Sequence, residues 1–274
     1  MATSNIDQRN GMAPIDDYHL EDEEDDEATM SLVEHLEELR WRILKSLIAV
    51  VIGSVIGFIF REAILSFLEL PLPAQAVQVA HGSAQRLVMT DLAGSFTVFL
   101  KISVAVGILV ALPVLLYQIW AFIAPGLYSR EKKNAVPFIC LGVVLFVAGI
   151  GLGFAVLQFP VRWLIDFGSS NFLELISADS YFTFVAFFLL AFGVVFEIPL
   201  VLTFMAQIGL ITADTLKKRR AASHVGMWVA ATFLTPGADI FSPIILGIAM
   251  SCLFELTIIF IKLFASNKLK AESA

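Results

Sequence analysis

The acidic residues of this chain fall into two settings, and each setting allows a different chemistry. In the first, acids stand among arginines and lysines. The string His35-Leu36-Glu37-Glu38-Leu39-Arg40-Trp41-Arg42 mixes carboxylates with guanidinium groups, and Glu131 is the one acid in Ser129-Arg130-Glu131-Lys132-Lys133. A carboxylate accepts two parallel hydrogen bonds from the planar guanidinium of an arginine, which an ammonium cannot supply. Two readings stay open at each place. Glu38 with Arg42 and Glu37 with Arg40 have the spacing of local helix pairs worth ~0.2–0.5 kcal/mol, or they face a cationic partner. Glu131 either takes such a partner or compensates its basic neighbours.

In the second setting, acids interrupt apolar runs. Glu197 lies in Phe196-Glu197-Ile198-Pro199, Glu255 in the run from Ile240 to Ile261, and Asp239 just after Leu234-Thr235-Pro236-Gly237-Ala238. A charged side chain deep in a bilayer costs at least ~2.5 kcal/mol, so Glu197 is a functional candidate; the other reading is a protonated carboxyl bonded to a neighbouring helix. Pro199 follows it closely and leaves a backbone carbonyl without its usual donor.

Enzyme chemistry has no foothold. His35-Leu36-Glu37-Glu38 lacks the second histidine of a zinc helix, and no P-loop, nucleophile elbow or deaminase signature occurs. His224 and Ser223 have no catalytic partner nearby in sequence. Cys140 and Cys252 sit in apolar runs without metal or disulfide spacing. Neither an enzyme, a metal, a cofactor nor a nucleic-acid partner is expected.

The elements that hold these residues follow from composition. Of 274 residues, 58% are hydrophobic and 16% charged, and mean hydropathy is +0.83. Ordinary globular chains carry about 45–50% apolar residues, so the expected class is an all-α, polytopic membrane protein. The net charge of −7 misleads, because residues 1–30 hold ten acids and one base. That acidic block repels itself, so residues 1–29 are expected to form a disordered tail. No basic segment followed by a short apolar core opens the chain, so the first apolar span is expected to direct insertion.

Spans of about 20 apolar residues are needed to cross the hydrocarbon. Charge-free stretches predict six, at 41–64, 96–119, 136–158, 181–207, 221–236 and 242–263, within a membrane domain covering 30–265 and followed by a cytoplasmic tail at 266–274. The last two are short, which implies local bilayer thinning or coverage by partners. Lysine and arginine collect on one side of these spans: Arg40, Arg42 and Lys45, then Arg130, Lys132 and Lys133, then residues 217–220, then Lys268 and Lys270. That side is cytoplasmic by the positive-inside rule, which places both termini inside. Pro71, Pro125 and Pro236 mark turns between spans. Gly53 with Gly57, and Gly149 with Gly153, have the small-residue spacing of helix-packing faces.

Four strings carry a resemblance. They are His35-Leu36-Glu37-Glu38-Leu39-Arg40, then Phe122-Ile123-Ala124-Pro125-Gly126-Leu127-Tyr128-Ser129-Arg130-Glu131, then Phe192-Gly193-Val194-Val195-Phe196-Glu197-Ile198-Pro199, and Leu234-Thr235-Pro236 followed by Asp239. In this order they resemble the TatC family, the large subunit of the twin-arginine protein translocase, over about residues 31–265. The resemblance implies a receptor for folded cargo bearing twin-arginine signal peptides, with transport driven by the proton-motive force. It implies TatA and TatB as single-span partners, further TatC copies in the assembly, and residence in the bacterial inner membrane. It also implies that Glu38 and Glu131 contact the paired arginines, that Phe122, Tyr128 and Arg40 belong to the same cytoplasmic patch, and that Glu197, Glu255 and Asp239 are polar groups available to partners. Pro243 departs from the polar amide that often stands there. The alternative is a proton-coupled small-solute transporter using Glu197 and Glu255. The lack of an inverted repeat argues against it.

Overall fold

The computed structural model describes residues 32–73, 78–80, 83–85, 87–123, 135–168, 176–236 and 239–272, with side chains at all of these but 32–33, 78–80, 83–85 and 264–272. Two units divide the chain at Arg40. The first contains the opening turns of helix α1 (Leu32–Ile59). The second contains the rest: α2 (Arg61–Leu68), β1 (Gln78–Ala80), β2 (Ser83–Gln85), α3 (Gly94–Ile123), α4 (Ala135–Val156), α5 (Gln158–Gly168), α6 (Ala178–Phe196), α7 (Ile198–Gln207), α8 (Ala213–Lys218), α9 (Arg220–Leu234) and α10 (Phe241–Glu272).

Among the described residues, five helical stretches are long and apolar enough to cross a membrane: Glu34–Ile59, Gly94–Ile123, Ala135–Phe167, Ala178–Gln207 and Phe241–Leu263. The expected fifth span corresponds to α9, whose 15 residues fall short of that length. The third expected span, 136–158, closes where α4 does, and the fourth, 181–207, is broken. α4 ends at Val156 and the chain resumes as α5, because Pro160 has no N–H for the carbonyl of Val156. The fourth breaks at Glu197. The expected cytoplasmic tail at 266–274 begins as helix, since α10 continues to Glu272 through the helix-favouring Lys268-Leu269-Lys270-Ala271-Glu272.

A small antiparallel hairpin departs from the all-α expectation. β1 pairs with β2 in the register Gln78↔Gln85, Val79↔Ala84, Ala80↔Ser83. Two residues, His81-Gly82, separate the paired positions, a loop length that suits a glycine-containing hairpin. The expected prolines behave as breakers. Pro71 follows α2, where the Leu72 N–H donates to the Glu69 carbonyl at 3.0 Å, and Pro236 follows an extended Thr235 at the end of α9.

Helix α6 is the centre of the second unit. Tyr181, Phe182, Val185, Phe188, Phe192 and Val195 repeat every three to four residues along it and are all buried. Against this ridge α4 presents glycines. A Cβ on Gly149 would stand 2.6 Å from the Phe192 carbonyl oxygen, and one on Gly153 would stand 3.0 Å from the Phe192 ring. The reverse fit occurs at Gly193, which receives the Phe146 ring. The Gly53 and Gly57 face of α1 lies on Gly107 and Ser103 of α3, backbone against backbone. Both small-residue faces read from sequence are therefore packing faces, as expected where helices gain little from hydrophobic burial between themselves. Elsewhere α1 leaves Leu47, Ile48, Val51, Ile52 and Val55 exposed, the pattern of a helix facing lipid.

Candidate functional site

Glu197 sits at the hinge between α6 and α7 with φ −77° and ψ −14°. Its N–H donates to the Val194 carbonyl at 3.0 Å, and its own carbonyl accepts from the Val201 N–H at 3.0 Å. Pro199 occupies the opening of α7, where a missing N–H costs nothing. The break therefore has a sequence cause, and it sets the side chain toward α4. A Cβ on Gly142 would lie 3.2 Å from Glu197 Oε2 and 3.0 Å from Leu200 Cδ2, so the glycine makes the room that the carboxyl group fills. Both carboxyl oxygens are shielded, and neither has a hydrogen-bond partner among the described residues. Buried polar atoms are almost always paired, so such a group is poised for a donor or acceptor from elsewhere.

Glu255 is placed differently. Arg220 Nε donates to Oε1 at 2.6 Å and Arg220 Nη2 donates to Oε2, a two-armed pairing. His224 Nε2 lies 2.9 Å from Oε1, and His224 Nδ1 lies 3.1 Å from Ser251 Oγ. The imidazole meets the Phe254 ring edge-on at 5.6 Å. The cluster ties α9 to α10. The transporter alternative needs Glu255 as an open acid, and here it is engaged. Asp239 is also engaged: its Oδ1 accepts the Ser242 N–H at 2.6 Å and its Oδ2 accepts the Ser242 hydroxyl at 2.7 Å, capping the start of α10. Replacing Asp239 with alanine is expected to cost about 1–2 kcal/mol, the range for a lost helix cap, read as a lower unfolding midpoint of the purified protein.

Some polar contacts had no warning in the sequence. Lys101 Nζ donates to Asp179 Oδ1 at 2.8 Å and to Thr183 Oγ1 at 3.1 Å. The Tyr181 hydroxyl donates to the Leu68 carbonyl at 2.7 Å. The available signal was that Lys101 and Asp179 each open a long apolar helix, within two turns of its start.

The residues of the cytoplasmic patch are only partly described. Glu38 lies in the second turn of α1, half-buried, with its Oε2 at 3.8 Å from His35 Nδ1. Arg40 is exposed. Phe122 lies half-buried in the last turn of α3. Pro125, Tyr128 and Glu131 fall outside the described residues. Trp120, Phe138 and Phe204 form a ring cluster with centroid separations of 4.8, 5.3 and 5.6 Å. They wall a cavity of about 250 Å³ that also touches Leu141, Thr203 and Gln207. A larger apolar cavity of about 540 Å³ opens among α2, α3, α4 and α6 beside Gly151.

The family profile described as "Sec-independent protein translocase protein (TatC)" matches residues 34–249. A protein of that description from Desulforapulum autotrophicum is 37% identical over 244 residues, covering 89% of this chain and 88% of that protein. One from Escherichia coli strain K12 is 35% identical over 243 residues, covering 88% of this chain and 92% of that protein. A crystal structure described as the twin-arginine translocase receptor TatC in DDM superimposes with a TM-score of 0.72 at 32% identity, covering 83% of this chain and 99% of that one.

Proposed function

This chain belongs to the TatC family of Sec-independent protein translocase proteins, and from that premise we propose how its residues carry the task. It is a core membrane subunit of the twin-arginine translocase, a transport component and not a catalyst. In the arrangement proposed, α1, α3, α4, the α6–α7 pair, α9 and α10 are six membrane crossings with both termini cytoplasmic in the bacterial inner membrane. Residues 1–29, expected as an acidic tail, lie outside the described residues. The charge asymmetry supports this orientation, because the loop between α3 and α4 carries Arg130, Lys132 and Lys133.

The receptor role rests on carboxylates among those bases. Glu38 and Glu131 each accept one guanidinium of a twin-arginine signal peptide, and Phe122, Tyr128 and Arg40 border the contact. Arginine is preferred over lysine because only the guanidinium supplies two parallel donors per carboxylate. The observation that carries the reading is the match of the family's strings, in order, on a chain that shares the family's fold. Photocrosslinking from positions 38 and 131 tests it. A peptide with Arg-Arg is expected to crosslink and a Lys-Lys peptide is not; equal yields would overturn the assignment.

Glu197 serves a different contact. Its shielded carboxyl group and the open apolar flanks of the surrounding helices support docking of the single-span partners TatA and TatB. Glu197→Ala is expected to lose co-purifying TatA or TatB while retaining peptide crosslinks. Wild-type recovery of both partners from that variant would count against it.

A further inference from the structure

We propose that the larger apolar cavity, among α2, α3, α4 and α6, holds one acyl chain of a phospholipid whose phosphate is gripped by Arg61. The lipid comes from the outer leaflet, a placement that rests on the orientation proposed above, in which the end of α1 that Arg61 follows faces outward.

The cavity selects its occupant by shape and polarity. Its volume of about 540 Å³ lies within the ~300–1,000 Å³ of small-ligand pockets, and every residue that lines it is apolar. It follows α3 from Ile102 to Leu109 and α4 from Val147 to Phe154, about 10 Å at ~1.5 Å per residue, against about 15 Å for one leaflet of hydrocarbon. A helix with its side chains is ~10–12 Å across, so this volume would take only about one turn of it. A flexible hydrocarbon chain fits where a helix does not. Gly151 makes the room, with nothing within 4 Å of its ideal Cβ position. The stacked rings of Phe67 and Phe154, centroids 4.4 Å apart, join α2 to α4 along the wall. Water does not fill an apolar hole, and an empty one forfeits packing contacts.

Hydrophobicity alone gives no selection here, because lipid tails are as apolar as leucine. The selection comes from the cation beside the cavity. Arg61, Ile64 and Leu68 share one face of α2 by their spacing, and Ile64 and Leu68 line the cavity. The Arg61 guanidinium lies over the rings of Phe58 and Phe99, 4.9 and 5.4 Å from their centroids, and Phe99 is one turn before Ile102 on α3. Arg61 Nη1 donates to the Phe58 carbonyl at 3.1 Å, and Nη2 stands 3.7 Å from Glu62 Oε1. The two rings and the carbonyl hold the group in place, whereas the Glu62 side chain is 85% exposed, and a pair of that kind contributes little. A guanidinium held this way has further N–H donors for two oxygens of a phosphate. A cation one turn outside an apolar cavity matches the order of phosphate and then chain along a phospholipid.

The experiment reconstitutes the full-length protein in vesicles containing phosphatidylglycerol with a diazirine in one acyl chain, and maps the photoproducts by mass spectrometry. Residues 63–68, 102–109 and 147–154 are expected to be labelled about tenfold more than residues 47–55 of α1, whose exposed face meets bulk lipid; tenfold is roughly the lower end for a hydrogen bond to a charged group. Diacylglycerol with the same chain lacks the phosphate, and Arg61→Gln lacks the grip; each should bring cavity labelling to within about twofold of α1. Gly151→Phe fills the cavity from a position with open space and should do the same, with labelling of α1 unchanged. Should that variant fail to accumulate, Val147→Phe fills the cavity from the neighbouring turn. Equal labelling of cavity and α1 in the wild type reduces the site to ordinary boundary lipid and overturns the proposal, as does an excess that survives Arg61→Gln or a filled cavity. A benzophenone amino acid at position 67 identifies the occupant in native membranes. A phospholipid adduct that Gly151→Phe abolishes is expected there; an adduct with a second copy of the chain or with another polypeptide overturns the proposal.

Discussion

A valine at Gly149 is expected to remove nearly all folded protein from the membrane, whereas an alanine at Gly151, two residues along the same helix, is expected to be tolerated. The two glycines look alike in sequence. At Gly149 a Cβ would sit 2.6 Å from the Phe192 carbonyl oxygen and 2.8 Å from the Phe196 ring. The oxygen belongs to the backbone of α6, so it cannot swing aside. Relief requires the two helices to separate along the seam where Phe188 and Phe192 are 0% exposed. Overpacking in a core costs about 1–3 kcal/mol when side chains can adjust. Here the backbone must move as well, and typical stabilities are only about 5–15 kcal/mol. Gly151 has nothing within 4 Å of its ideal Cβ position, and alanine there gains the ~0.5–1 kcal/mol that glycine forfeits in a helix interior. Size-exclusion profiles of the detergent-solubilised variants separate the outcomes: a monodisperse Gly149→Val protein at wild-type yield would refute the packing argument.

Removing the carboxylates at positions 38 and 131 is expected to have the largest effect on function. A hydrogen bond to a charged group is worth about 1.5–3 kcal/mol net. Loss of one arginine contact should therefore weaken peptide binding by roughly 10- to 150-fold, and if each acid holds its own arginine the losses should approximately add. Glu38→Gln and Glu131→Gln keep the shape and remove the charge, so they should lose most of the affinity without losing accumulation in the membrane. Titration of vesicles with a labelled twin-arginine peptide measures this directly. Variants that bind within threefold of wild type would show that these acids merely balance local bases.

What the sequence revealed followed the range of each interaction. The glycine pairs at 53 and 57 and at 149 and 153 were readable as packing faces because helical spacing alone creates a smooth stripe. Their partners were not readable, because Gly107 and Phe192 lie 39 or more residues away and are fixed by tertiary register. At Glu197 the acid and the proline two residues on were visible as unusual, but the expected span at 181–207 ran through them, because neither residue alone says whether a helix bends or stops. The α9–α10 cluster was invisible for the opposite reason. Arg220 and His224 are one helical turn apart, as are Ser251 and Glu255, but only the rotation of the two helices brings those faces together. The hairpin was missed because its strands are only three residues long, below the length at which alternation declares itself.

The crossing of α1 over α3 carries one more consequence. Contact there is made by Gly53 and Gly57 against Gly107 and Ser103, with main chain touching main chain. Interlocked side chains resist rotation, since turning one helix must lift knobs out of holes; a bare contact offers no such teeth. Away from the crossing, Leu47, Ile48, Val51 and Ile52 are exposed, and a further tie to α3 is the hydrogen bond that Arg42 Nη1 donates to Gln118 Oε1 at 3.4 Å. The crossing is smooth enough to slide along, and it tolerates no added methyl group.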